Sequence, residues 1–200
     1  MPQSYDFDLV VIGSGPGGHR AAIQAAKLGK KVALAEKNPM VGGVCVHTGT
    51  IPSKTLREAA LHLTGYQERS IYGASYTVKE DITMADLLRR AHYVINHEQD
   101  VLCHQLRRNN IDMISGEAKF IDPHTLYVSG SGSSSTRTLT AEKIIIGTGT
   151  KTARDQKIKF DGEFIFTSDD LLQIEQLPTS ITVIGAGVIG LEYATIFAAI

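Results

Sequence analysis

The chain has only two cysteines, Cys45 and Cys103, too few for a disulfide framework. Its net charge is −1, which removes the usual electrostatic case for nucleic acid or an anionic membrane as partner. No apolar run approaches the ~20 residues that a membrane-spanning helix needs. The opening Met1-Pro2-Gln3-Ser4-Tyr5-Asp6 has neither a basic segment nor an apolar one, so no secretory leader is expected and the cytoplasm is the default location. What is left is an ordinary soluble composition, long enough for one large domain or two small ones. The nineteen glycines are slightly many, and their clustering is informative.

Residues 8–12 (D-L-V-V-I) form a continuous apolar run, the pattern of a strand buried on both faces. It leads directly into Gly13-Ser14-Gly15-Pro16-Gly17-Gly18, a G-x-G-x-x-G. A helix with a small-residue face follows (Ala21, Ala22, Ala25, Ala26), stopped by Gly29. Residues 31–35 read as a second strand with Glu36 at its end. Each part has a physical task in dinucleotide binding. Gly13 permits a tight turn, and Gly15 lets backbone approach a pyrophosphate at the helix N-terminus. Gly18 allows close helix–strand packing, and Glu36 suits a ribose diol.

Helix is predicted from Pro52, placed at the first helical position, to Tyr66, and again over 83–108 with an apolar stripe that includes Cys103 as a small buried residue. Residues 67–82 between them read as a loop. From residue 111 the period changes to that of strands, over 111–114, 118–121, 125–128 and 138–139. Residues 129–136, rich in Gly and Ser, read as a flexible hairpin tip. Residues 143–146 (K-I-I-I) form another buried-type strand, ending in Gly147-Thr148-Gly149. Residues 150–161 suit a domain crossover, and 168–172 a short helix capped by Ser168. Strand 181–184 then runs into Gly185-Ala186-Gly187-Val188-Ile189-Gly190, a second G-x-G-x-x-G with its helix. Two such motifs suggest FAD on the first and a nicotinamide nucleotide on the second, hence hydride transfer between them.

The layout resembles the flavoprotein reductases with two dinucleotide-binding domains, such as dihydrolipoamide dehydrogenase, glutathione reductase and mercuric reductase. Gly42-Gly43-Val44-Cys45 to Pro52-Ser53-Lys54 resembles their redox-disulfide segment. That segment carries C-x-x-x-x-C, whereas here Cys45 is followed by Thr50. Without the second thiol, thiol–disulfide exchange is disfavoured. The pattern G-G-V-C-V-H-T-G-T-I-P-S-K is similar to that of the transhydrogenase branch, which passes hydride from NADPH through FAD to NAD. The resemblance implies an α/β fold. A Rossmann-like FAD-binding domain with a β-meander would occupy residues 1–150. The first βα unit of a second Rossmann-like, NAD(P)-binding domain would occupy 151–200. It also implies a homo-oligomer with nicotinamide nucleotides as partners.

Carried onto this chain, the resemblance places Lys54 beside flavin N5, paired with Glu192. It sets Lys37, Gly42, Gly43, Val44, Gly116, Ala118, Thr148 and Gly149 along the FAD, and Gly185, Gly187, Val188, Ile189 and Gly190 at the nicotinamide nucleotide. Cys45 is either a vestigial redox thiol or a small residue packing under the ring, and packing is favoured because no partner thiol is near in the motif. Thr50 hydrogen-bonds near the flavin or fills the cysteine's volume. His47 tunes the site or bonds to backbone. No metal is expected, since no His/Cys/Asp cluster surrounds it. Relatives of this kind need more chain, so these 200 residues read as a fragment with exposed apolar faces, weak flavin affinity and little activity of its own. The competing functions are a disulfide reductase like dihydrolipoamide dehydrogenase, disfavoured by Thr50, and a nucleotide-binding module without catalysis.

Overall fold

A computed structural model describes residues 4–130 and 136–200. They form two compact units, one from the chain up to Cys45 with residues 97–150, the other from residues 46–96 and 151–200.

The first unit is built on a mixed six-stranded sheet. β1 (Phe7–Ile12) pairs in parallel with β2 (Val32–Glu36), and β2 with β3 (Asp112–Ser115). β4 (Glu117–Asp122), β5 (Thr125–Ser129) and β6 (Arg137–Ile146) make an antiparallel meander, and β6 returns parallel to β1. The order is β3-β2-β1-β6-β5-β4. Helix α1 (Pro16–Lys27) is the crossover from β1 to β2, with Pro16 in its first turn and Gly29 at φ +76° ending it. β2 is buried along its whole length, as a central parallel strand requires. Val10, Ala33, Ala35, Leu126, Val128, Leu139 and Ala141 form one core shared by the parallel and antiparallel halves.

Two strand expectations change. Residues 138–139 and 143–146 belong to one ten-residue strand, because β6 pairs with β5 up to Thr140 and with β1 from Ala141 on. Residues 143–146 are also not buried on both faces. Past Thr140 the strand is paired on the β1 side only, and Ile145 and Ile146 are exposed. The Gly/Ser-rich tip lies largely outside the described residues.

In the second unit, α3 (Thr50–Leu63) begins two residues before the expected Pro52. Pro52 is its third residue, where a missing N–H costs no intrahelical bond. A short helix, α4 (Arg69–Tyr72), interrupts the expected loop, and α2 (Gly43–His47) precedes α3. Helix α5 (Met84–Arg108) runs from this unit into the first. It buries Leu87, Ala91, Ile95, Leu102 and Leu106 at the expected spacing. Cys103 is only half-buried, because it falls beside the Leu102–Leu106 stripe and not on it. Thr83 and Asp86 cap α5 reciprocally: the Thr83 N–H and hydroxyl donate to Asp86, and the Asp86 N–H donates to Thr83 Oγ1.

A 3₁₀ turn (Asp170–Gln173) stands where a helix capped by Ser168 was predicted. Its N-cap position is Asp169, which makes no side-chain cap bond; the turn is tied down by Asp170 Oδ2, which accepts the N–H and the hydroxyl of Thr167 at 2.8 Å each. Residues 181–184 do not form a strand. Among the described residues no strand pairs with them, and without a ladder an apolar run stays exposed, Ile184 at 90%. α6 (Val188–Ala198) follows. No helix among the described residues is long and apolar enough to cross a membrane.

Candidate functional site

The first unit places four backbone segments against one another at the C-terminal end of β1. Gly13 sits at φ +97°, and a Cβ there would lie 2.3 Å from the Gly147 carbonyl oxygen and 3.3 Å from Thr148 Cα. A Cβ on Gly18 would lie 1.9 Å from the Gly13 oxygen. The Gly147 N–H donates to the Ile12 carbonyl at 2.7 Å. Only glycine fits such backbone-to-backbone approaches. Gly15 and Gly17 differ, because a Cβ on either would meet nothing within 4 Å. Gly15 is the N-cap of α1, so the open space beside it faces the first free N–H groups and the positive end of the helix dipole.

Glu36 closes one side of that space. It is buried, and its Oε2 accepts the Ser14 N–H at 2.9 Å and the Ser14 hydroxyl at 2.6 Å. Its Oε1 accepts the Asn38 N–H at 2.9 Å. Burial alone would raise its pKa, but the Ser14 hydroxyl and the Asn38, Ser14 and Lys37 N–H groups outweigh it and hold the carboxyl below its ordinary value. The Glu36 carboxylate thus adds stability above the ordinary carboxyl pKa and loses it as the pH falls through the depressed folded value. Glu36→Gln cannot accept at both ends and is expected to destabilise the protein by about 1–3 kcal/mol at pH 7. Denaturant titrations of both proteins should converge on acidification; a gap that persists at low pH contradicts this reading.

The glycine pair completes the cradle. The Gly42 N–H donates to Ser14 Oγ at 3.0 Å, and a Cβ on Gly43 (φ +63°) would lie 3.0 Å from Gly15 Cα. The Gly116 N–H donates to the Glu36 carbonyl at 2.8 Å. So Ser14, Gly15, Glu36, Gly42, Gly43, Gly116 and Thr148, drawn from five places in the sequence, gather here. Ala118 lies on β4, half-buried against the core. Lys37 and Val44 are exposed, and Gly149 (φ +65°) faces open space. His19 was not foreseen: it is buried, and its Nδ1 donates to the Gly15 carbonyl at 3.0 Å, fixing the first turn of α1. Its position four residues after Gly15, one helical turn on, is the signal that could have found it.

The second unit carries a separate constellation. On it, α3 and α6 pack together. Lys54 Nζ lies 3.8 Å from Glu192 Oε1, and the Ser53 hydroxyl donates to Glu192 Oε2 at 3.0 Å. Lys54, Arg57, Glu58, Val188, Leu191, Glu192 and Thr195 line a cavity of about 460 Å³. Ser53 was also missed, since a serine beside a conspicuous lysine has no sequence signal of its own. Thr50, the first residue of α3, is exposed. Cys45 is half-buried on α2 and is a free thiol, as is Cys103.

The second glycine turn repeats the geometry of the first without its strand. Gly185 sits at φ +115°, and a Cβ on Gly190 would lie 2.3 Å from the Gly185 oxygen. Gly187 caps α6 and faces open space, with Val188 and Ile189 exposed beside it. Tyr193 is buried on α6, and its hydroxyl has no hydrogen-bond partner among the described residues. Burial, with the charges of Glu192 and Asp169, pushes its pKa up to about 12. Tyr193→Phe removes an unmatched polar atom and is expected to raise stability by about 1 kcal/mol. A lower melting temperature for the variant would show that the hydroxyl is satisfied.

Residues 7–200 match the family described as pyridine nucleotide-disulphide oxidoreductase. The soluble pyridine nucleotide transhydrogenase of Mycobacterium tuberculosis is 56% identical over 195 residues, and that of Colwellia psychrerythraea 40% over 197. Each match covers 98% of this chain but 42% of the relative, so the chain spans less than half the length of these curated relatives. Among solved structures, the HOCl-induced flavoprotein disulfide reductase RclA of Escherichia coli superposes with a TM-score of 0.80 at 32% identity, over 96% of this chain and 40% of that one.

Proposed function

We propose, since the chain belongs to the pyridine nucleotide-disulphide oxidoreductase family, that it forms the FAD-holding part and the start of the nicotinamide-binding part of a soluble transhydrogenase working between NADPH and NAD. The division into residues 1–150 and 151–200 for these two tasks, a cytoplasmic location and a homo-oligomeric complete protein belong to the same proposal. The observation that carries it is the pair formed by Thr50 and the first-unit cradle. The cradle suits a dinucleotide, and the position of the second redox cysteine holds a threonine.

The cradle fits the ADP half of FAD on its own geometry. Space left by Gly15 and Gly17 opens at the N-terminus of a twelve-residue helix, which suits a pyrophosphate. Glu36 accepts from Ser14 twice at Oε2 and from Asn38 once at Oε1, which leaves a lone pair on Oε1 for a ribose hydroxyl. Gly42 and Gly43 let a second stretch of backbone run beside Gly15 without side chains in the way. Bound FAD supplies a carrier that accepts a hydride from one nicotinamide and gives it to another. For that chemistry the chain provides alignment, water exclusion and charge. We assign Lys54, backed by Glu192, the role of placing positive charge at the flavin's reacting edge. Gly185, Gly187 and Gly190 with the free N-terminus of α6 seat a nicotinamide nucleotide. Cys45 packs as a small residue, and neither it nor Thr50 exchanges electrons.

The test is a pair of assays on the flavin-loaded complete protein, NADPH-driven reduction of an NAD analogue and NADH-coupled reduction of a disulfide. Hydride exchange without disulfide turnover is the expected result. RclA is named a disulfide reductase, and disulfide turnover that is lost in Cys45→Ser would favour that rival activity, because the relay needs a thiolate.

A further inference from the structure

We propose that Ser53 is a positioning residue that divides the Glu192 carboxylate between two partners and so sets how much of its charge reaches Lys54. Its effect on the reaction rests on the role given to Lys54 above; its effect on Glu192 does not. Ser53 is buried at 6% exposure in the first turn of α3, beside exposed Lys54. Its hydroxyl has one proton and two acceptors within reach: the Thr50 carbonyl at 3.4 Å and Glu192 Oε2 at 3.0 Å. The shorter contact goes to an ionised acceptor, and charge-assisted bonds are roughly twice as strong as neutral ones. The Ser53 hydroxyl therefore donates to Glu192.

The two carboxylate oxygens of Glu192 then have different tasks. Oε2 is tied to Ser53, across the α3–α6 junction. Oε1 faces Lys54 Nζ at 3.8 Å, too long for a hydrogen bond though within ion-pair range. A carboxylate pinned through one oxygen cannot swing to grip the lysine with both. The ammonium stays associated with Glu192 yet keeps donors and positive field free on its exposed side. Without Ser53 the carboxylate is released. It can close on Lys54, which shortens the pair and cancels more of the lysine's field.

Two measurements separate this role from a packing role. The first is a double-mutant cycle of Ser53→Ala and Glu192→Gln read by denaturation. Direct coupling should change the unfolding equilibrium about tenfold, as expected for a hydrogen bond to a charged group. Coupling indistinguishable from zero overturns the proposal. The second uses the flavin-loaded protein. Ser53→Ala should shift the flavin reduction equilibrium with a nicotinamide couple by about threefold toward the oxidised form, through loss of positive field. Ser53→Thr, which keeps the hydroxyl, should restore the wild-type value, and in a Lys54→Met background Ser53→Ala should have no effect. A shift that persists without Lys54, or no shift at all, overturns the assignment. If Lys54→Met itself leaves flavin reduction unchanged while the stability coupling stands, the reading of Lys54 fails and the Ser53–Glu192 link survives.

Discussion

Gly18→Ala is expected to destabilise the first unit strongly, while Gly15→Ala leaves a folded protein that binds its flavin far more weakly. The added methyl is the same; what it meets differs. At position 18 it would lie 1.9 Å from the Gly13 carbonyl oxygen and 3.3 Å from a Val11 methyl. The obstacle is backbone, so no rotamer change relieves it, and either α1 must move off β1 or the turn at Gly13 must open. Overpacking of this kind costs at least ~3 kcal/mol, a large share of the 5–15 kcal/mol that typically holds a domain together. At position 15 the methyl meets nothing within 4 Å, and φ is −59°, which alanine adopts freely. Its effect should fall on whatever occupies that space. FAD affinity should drop on the order of 100-fold, or ~2.7 kcal/mol. Circular dichroism and flavin fluorescence titration of both variants read the two effects separately. A Gly15→Ala protein that binds FAD normally would place the pyrophosphate elsewhere.

Lys54→Met should slow flavin reduction by nicotinamide about 100-fold, the usual scale for removing one preorganised charge or donor at a reacting centre. Stability should change by less than about 1 kcal/mol, because Lys54 is 70% exposed and its pair with Glu192 spans 3.8 Å. That separation makes the experiment clean: a large kinetic loss in a protein with a normal melt points to charge at the reaction and not to packing. Stopped-flow reduction at wild-type speed would remove Lys54 from the site.

Much of this protein is legible in one dimension because the relevant physics is local. A buried strand, three glycines, a helix and an acid arrive in order, and Gly13 and Gly18 are required by the backbone conformation of the turn or by its close neighbours. The same holds for Gly185 and Gly190, whose turn forms although residues 181–184 find no strand partner among the described residues. Thr50 in place of a cysteine is likewise a fact of sequence, and it alone turns the functional reading from thiol exchange to hydride exchange.

What only the tertiary structure decided are features that depend on distant partners. Residues 143–146 have a buried strand's composition, yet Ile145 and Ile146, which point to opposite faces of the sheet, are both exposed, since burial there depends on what packs on the two faces. Cys103 fits an apolar period but sits off the buried stripe. Glu36 was placed by spacing, whereas its ionised state comes from Ser14 and Asn38 closing on it. Ser53 lies inside a motif legible in the sequence, but nothing there marked its contact with Glu192. Its partner lies 139 residues away, and only the packing of α3 on α6 brings the hydroxyl to 3.0 Å from Glu192. Local sequence sets the turns and the chemistry on offer, while long-range packing determines which side chains share a proton, and a hydrogen bond reaches only about 3 Å.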